Sequence, residues 1–130
     1  MRKNNTSCIA LDYGTKKTGI AYSVDGFAFA WKTVHTRELE TLLPKIIAEK
    51  NASMLVVGMP YHIDGSMSPH GKRVQDFIEK IRGKIAIPLI VHDERLSTSE
   101  ARIAFAEYDV AGDIDAEAAR LILESYLAGN

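Results

Sequence analysis

The chain has 130 residues, of which 46% are hydrophobic and 25% charged, with a formal net charge of −1. That length suits one domain able to bury roughly two-thirds of the surface its unfolded chain exposes. Composition excludes a disordered or fibrous chain, no stretch is apolar enough to span a membrane, and the lone cysteine, Cys8, excludes an internal disulfide.

Met1 to Ser7 holds no apolar region of signal-peptide length, so a reducing, cytoplasmic setting is expected. Residues 8–12, CIALD, read as a buried strand that ends in a carboxylate. Tyr13-Gly14-Thr15-Lys16-Lys17 is a short basic turn, and residues 18–23 form a second strand. Asp25-Gly26 is a hairpin signal, and Phe27 to Thr33 alternates as a third strand. Three strands on short turns make an antiparallel meander.

The pattern then changes to alternating helix and strand. Leu39, Leu42, Leu43, Ile46 and Ile47 recur at helical spacing, with Pro44 inside, so this helix is expected to kink or start late. Residues 54–59, MLVVGM, form a strand, and Tyr61 to His70 a polar loop. Val74, Phe77, Ile78 and Ile81 mark a second helix that Gly83 suits as its end. Ile87 to His92 is the last strand. Ser97-Thr98-Ser99-Glu100 has capping-box spacing before a helix carrying Ala101, Ala104, Phe105 and Tyr108. A final helix starts near Asp113 to Asp115 and carries Ala118, Ala119, Ile122 and Tyr126. The order βββ-α-β-α-β-α-α predicts an α/β fold: a mixed five-stranded sheet, three strands antiparallel and two parallel, flanked by helices in a single domain.

In such sheets chemistry collects at the carboxyl ends of the strands. Asp12 ends the first strand, Asp93 and Glu94 end the last, and Asp115 lies in the first turn of the final helix, on the face of Ala118, Ala119 and Ile122. Carboxylates gathered in a partly buried site repel one another unless a cation sits among them. Oxygen donors without histidine or cysteine clusters suit Mg²⁺ or Mn²⁺. A pair of such ions ~4 Å apart activates water and stabilises the leaving oxygen in phosphodiester cleavage. Gly14 would let the backbone turn beside the ions, and Lys16 and Lys17 would face phosphate. Each residue also has a plainer reading. Asp12 can be a turn former, Asp113 a helix N-cap and Asp115 a partner of the helix dipole. Asp93, Glu94 and Arg95 can be a surface ion-pair cluster, and the lysines solvated turn residues. His62, His70 and His92 lack zinc spacing.

Four stretches, ALDYGTKKTGIAYS, LVVGMPYHIDGSMSPHGKRVQDF, HDERLSTSEAR and DIDAEAARLILESYL, resemble the YqgF (RuvX) family, also described as Holliday junction resolvase-like proteins and pre-16S rRNA nucleases. The resemblance runs from about residue 8 to 128. It implies a ribonuclease H-like fold and a nuclease acting on structured nucleic acid. The implied substrates are the 5′ end of 16S rRNA precursor or, in the older proposal, branched DNA at a Holliday junction. Carried over by position, the catalytic and metal-binding acids are Asp12, Asp115 and either Glu94 or Asp93. The family often places lysines before the last acid, where this chain reads Val110-Ala111-Gly112-Asp113-Ile114. Lys72 and Arg73, at the expected start of the second helix, and Arg95 are candidate substrate contacts; Arg95 could equally orient the acids. Ribosome-assembly particles are expected partners.

Two further functions are open to the same residues. Asp-Tyr-Gly-Thr resembles the phosphate loop of the actin and sugar-kinase superfamily, but the chain has neither a second lobe nor a second glycine-rich loop. A non-catalytic RNA-binding ribosome-assembly module would not need all three acids.

Overall fold

In a computed structural model, which describes residues 6–96 and 113–129, the apolar run at the head of the chain becomes the middle strand of the sheet. Strands β1 (Cys8–Asp12), β2 (Lys17–Val24) and β3 (Phe27–His35) form the antiparallel meander. Asp25 (φ 52°) and Gly26 (φ 85°) turn its hairpin, both with the positive φ of a type I′ turn. Helix α1 (Thr36–Glu49) leads to β4 (Met54–Met59), and helix α2 (Pro69–Arg82) to β5 (Leu89–Asp93). A single 3₁₀ turn, Glu94–Leu96, follows β5, and helix α3 spans Ile114–Leu127. The sheet order is β3-β2-β1-β4-β5, with β4 parallel to β1 and β5 parallel to β4. Among the described residues no helix is long and apolar enough to cross a membrane.

The two faces of the sheet differ in side-chain size. On one face Ile9, Leu11, Ile20, Leu55 and Val57 pack against Leu39, Leu43 and Ile46 of α1 and Val74, Phe77, Ile78 and Ile81 of α2. On the other, Cys8, Ala10, Ala21 and Val56 meet Ala119, Ile122 and Leu123 of α3. Small residues on both partners let α3 lie close to the sheet, because packing distance follows the side chains at the contact. Cys8 belongs to this tight layer, and burial pushes its thiol pKa up.

Four local expectations are corrected. Helix α1 does not start late. It runs unbroken from Thr36 with Pro44 inside, because Pro44 is exposed while Leu39, Leu43 and Ile46 hold the opposite face in the core. Strand β5 begins at Leu89 rather than Ile87, after Pro88. Helix α2 begins at Pro69, not near Lys72. Ser68 caps it, accepting from the Gly71 N–H at 2.8 Å, and proline suits the first turn because that turn needs no donor from it. The β3 strand extends past Thr33 to His35. The Ser97–Glu100 capping box and the helix expected over Ala101–Tyr108 lie outside the described residues.

Candidate active site

One transverse row of residues organises the site. Asp12 pairs with Gly19 on β2, and Gly19 pairs in turn with Thr33 on β3. On the other side of β1, Leu11 pairs with Val57, so Asp12 stands level with Gly58, which pairs with His92 on β5. Strand alternation puts Asp12 on the face of Cys8 and Ala10, the face that α3 covers.

The two glycines flanking Asp12 are the contact points for the other acids. A Cβ built on Gly19 would collide with the carbonyl oxygen of Asp115, so only glycine lets the first turn of α3 rest on β2. A Cβ on Gly58 would lie 2.9 Å from Oε2 of Glu94 and 2.6 Å from Cδ1 of Ile122. Glycine there makes room for the Glu94 side chain above β4. Asp12, Glu94 and Asp115 are all half-buried. Among the described residues no group of three or more His, Cys, Asp or Glu is drawn together closely enough to hold a metal ion. The donor type, carboxylate oxygen, is that of a hard divalent ion: the Glu94 carboxylate reaches Gly58, level with Asp12, while Asp115 meets Gly19 with its main-chain carbonyl.

Neighbouring acids are occupied otherwise. Asp113 is the N-cap of α3. Its Oδ1 accepts from the N–H groups of Asp115 (3.1 Å) and Ala116 (3.2 Å), and from the Thr33 hydroxyl. That last bond ties α3 to β3 across the outer end of the row. Asp93 is held by Arg95: Nη2 lies 2.6 Å from Oδ2, Nε lies 3.1 and 3.0 Å from the two carboxylate oxygens, and the Arg95 N–H donates at 2.9 Å. These hydrogen bonds depress the Asp93 pKa and raise that of Arg95. Arg95 also donates from Nη1 to the Ile63 carbonyl at 3.2 Å and lies over the Tyr61 ring. It therefore ties the 61–67 loop to the end of β5.

The turn after Asp12 is pinned from two helices. His70 Nε2 donates to the Tyr13 carbonyl at 2.8 Å, and the Thr36 hydroxyl donates to the Gly14 carbonyl at 2.7 Å. With its proton committed there, Thr36 accepts from Thr18 at 2.8 Å. Gly14 is required by space rather than by conformation: its φ is not positive, but a Cβ would strike the Lys17 carbonyl oxygen. Lys16 and Lys17 are exposed. Lys17 lines a cleft of ≈ 380 Å³ with Thr33, Val34, His35 and Glu38, beside the Asp113 clip. Beyond Tyr13, Arg73 and Lys80 line a second hollow of ≈ 240 Å³ with Asp76 and Phe77. Lys72 is exposed and paired with Asp76 at 3.4 Å. At the start of α2, Pro69 has no amide proton and the amides of Gly71 and Lys72 are bonded to Ser68.

Sequence reasoning missed the roles of Gly19, Gly58, His92 and Ser125. The glycines carried a signal, since glycine inside an apolar strand marks a close backbone approach. His92 is 4% exposed and lies 2.9 Å from Ser125 Oγ on α3. Ser125 donates its one proton to the Leu96 carbonyl at 3.3 Å, so His92 Nε2–H is the donor to Ser125. The relay joins β5, the 94–96 turn and α3.

The family model described as RuvX, Holliday junction resolvase, matches residues 6–129. A Halothermothrix orenii protein named "Putative pre-16S rRNA nuclease" is 34% identical, over 92% of each chain. A Klebsiella pneumoniae protein of the same name is 32% identical, over 91% of this chain and 93% of its own. Two Thermus thermophilus RuvC structures share the fold: one in complex with Holliday junction substrate (TM-score 0.61, 11% identity, 95% of each chain) and one alone (TM-score 0.63, 9% identity, 94% of each chain). The expected ribonuclease H-like architecture is therefore the observed one.

Proposed function

Because the chain belongs to the RuvX family, we propose that it is a metal-dependent nuclease that hydrolyses phosphodiester bonds in structured nucleic acid, with the 5′ end of 16S rRNA precursor as its substrate. What supports this reading is that the two glycines level with Asp12 are where the Glu94 side chain and the main chain of Asp115 meet the sheet, at Gly58 and Gly19.

Asp12, Glu94 and Asp115 are the residues to hold Mg²⁺ or Mn²⁺. A bound pair of such ions supplies an activated water and offsets charge at the leaving oxygen. Of the two acids at the end of β5, Glu94 is assigned as the ligand, because its side chain reaches Gly58, level with Asp12. Asp12, on the middle strand, would hold the ions together with the other two acids. The pinned Tyr13–Lys16 turn fixes where Lys16 and Lys17 meet phosphates, and Arg95 positions the 61–67 loop beside the substrate. Cleavage leaves 5′-phosphate and 3′-hydroxyl. Nucleic acid, free or within ribosome-assembly particles, is the partner, and the reaction is cytoplasmic.

The test is cleavage of a precursor rRNA leader by purified protein in Mg²⁺ or Mn²⁺, with a four-way DNA junction run in parallel. Asp12→Asn is expected to abolish cutting while melting like the parent. Equal cutting by Asp12→Asn would remove the acidic-site mechanism. Cutting of the junction alone would replace the RNA substrate by branched DNA. Binding of precursor without turnover in either metal would leave a ribosome-assembly module instead.

A further inference from the structure

The face of the sheet opposite α3 carries a second feature that the acids do not use. Beyond the end of α1, β2 and β3 expose a cluster of rings. Tyr22 stacks on Phe29 (centroids 5.5 Å) and meets Trp31 edge-on (5.8 Å). Phe27 is 69% exposed and Phe29 44%. Two cations lie on these rings. Lys50 Nζ is 3.8 Å from the Tyr22 centroid and 4.5 Å from that of Trp31, and Lys32 Nζ is 4.5 Å from Trp31. Neither lysine makes an ion pair among the described residues.

Large exposed apolar rings cost solubility unless something covers them. A second copy pairing along the β3 edge is the first occupant to weigh. The strand is built against it: β2 and β3 slip register between Ile20 and Ala21, leaving Trp31 as an extra residue, and Lys32 follows at the bulge. Bulges and edge lysines are the features that blunt edge-to-edge pairing. What remains open is the face of the sheet, where aromatic planes lie beside positive charge with no carboxylate bound to it. Bases stack on such planes whatever their sequence, and phosphates take the charge.

From this juxtaposition we infer that the Tyr22–Phe27–Phe29–Trp31 patch, with Lys32 and Lys50, is a binding platform for an unpaired nucleic-acid strand, separate from the catalytic acids and on the opposite face of the sheet. The role given to it rests on the nuclease reading: single-stranded substrate flanking the scissile site passes round the β3 edge and stacks there. The binding itself does not depend on that reading.

Trp31 is the chain's only tryptophan, so its fluorescence reports occupancy directly. The experiment titrates the full chain, carrying Asp12→Asn to prevent cutting, with a short oligouridylate and with a matched RNA duplex. Expected are quenching of Trp31 by the single strand and weaker binding of the duplex. Phe29→Ala, and separately Phe27→Ala, should weaken single-strand binding about tenfold. Both side chains are exposed, so folding survives their loss. The double variant Lys32→Gln/Lys50→Gln should flatten the slope of log affinity against log salt by about 1.4. Oligouridylate binding unchanged in both phenylalanine variants overturns the proposal, as does duplex binding as tight as single-strand binding. So does sedimentation showing a dimer that Phe29→Ala dissociates, which assigns the patch to a second copy. No binding of oligouridylate by the unsubstituted platform, with leader cleavage intact in the protein that keeps Asp12, sinks this inference alone. Platform binding without cleavage sinks only the nuclease reading.

Discussion

Arg95 and His92 tie the end of β5 to its surroundings, Arg95 to the 61–67 loop and His92 to α3. Arg95 holds Asp93 through several hydrogen bonds and the 61–67 loop through one. The pair is solvent-exposed, so Arg95→Ala should cost stability less than about 1 kcal/mol. Cleavage should fall more, by about tenfold, because a remote misplacement of substrate is expensive in rate. Arg95→Lys should not restore it, since an ammonium cannot reproduce the planar fork. Initial rates and urea midpoints measured on the same preparations separate the two effects. For His92, burial holds the imidazole pKa below its ordinary value, opposed by the charge of Asp93. The unfolded chain therefore takes up this proton at a higher pH than the folded one. The associated stability is complete above about pH 6.5 and is lost as the pH falls through the lower folded value. Unfolding free energies measured on acidification through that window should decline, and the decline should be shallower in His92→Gln.

At the scale of elements, the meander, the switch to parallel strands and the N-cap at Asp113 were all legible, because each rests on local chemistry. Asp-Gly demands a type I′ turn, continuous apolar runs demand burial on both faces, and an aspartate before a helix satisfies orphan amides. That the Glu94 side chain lies against Gly58 while Arg95 holds Asp93 was not legible, because the gap is more than thirty residues upstream and the arginine's hold has no periodic signature. Nor did Pro44 disclose its tolerance, since exposure of that helix face is set by tertiary packing. The docking of α3 makes the clearest prediction here. Gly19→Ala introduces a methyl group where the Asp115 carbonyl sits, so α3 must move off β2. A loss of about 1–3 kcal/mol is expected, the range for overpacking a close-fitted core. Cleavage should fall below detection while circular dichroism retains the native helix content.

For the whole molecule, a net charge of −1 hides an uneven distribution: exposed lysines beside the acids at one end of the sheet, and ring-bound lysines on the opposite face. On the metal-dependent reading proposed above, the ion is a ligand of the folded state alone and so raises its stability. Mn²⁺ at tenfold excess over its dissociation constant should add about 1.4 kcal/mol, a few degrees in Tm. Asp12→Asn should melt at the same temperature with and without the ion. An equal shift in both proteins would put the ion elsewhere.

The clip between Asp113 and Thr33 joins a helix to a strand that precedes it by most of the chain. A ribosome making this protein releases Asp12 early and Asp115 only after all five strands. Until α3 settles on the bare glycine of β2, the nascent polypeptide carries an incomplete set of acids. Chain order alone makes the seating of α3 on β2 a late step, open only to a polypeptide that is almost fully synthesised.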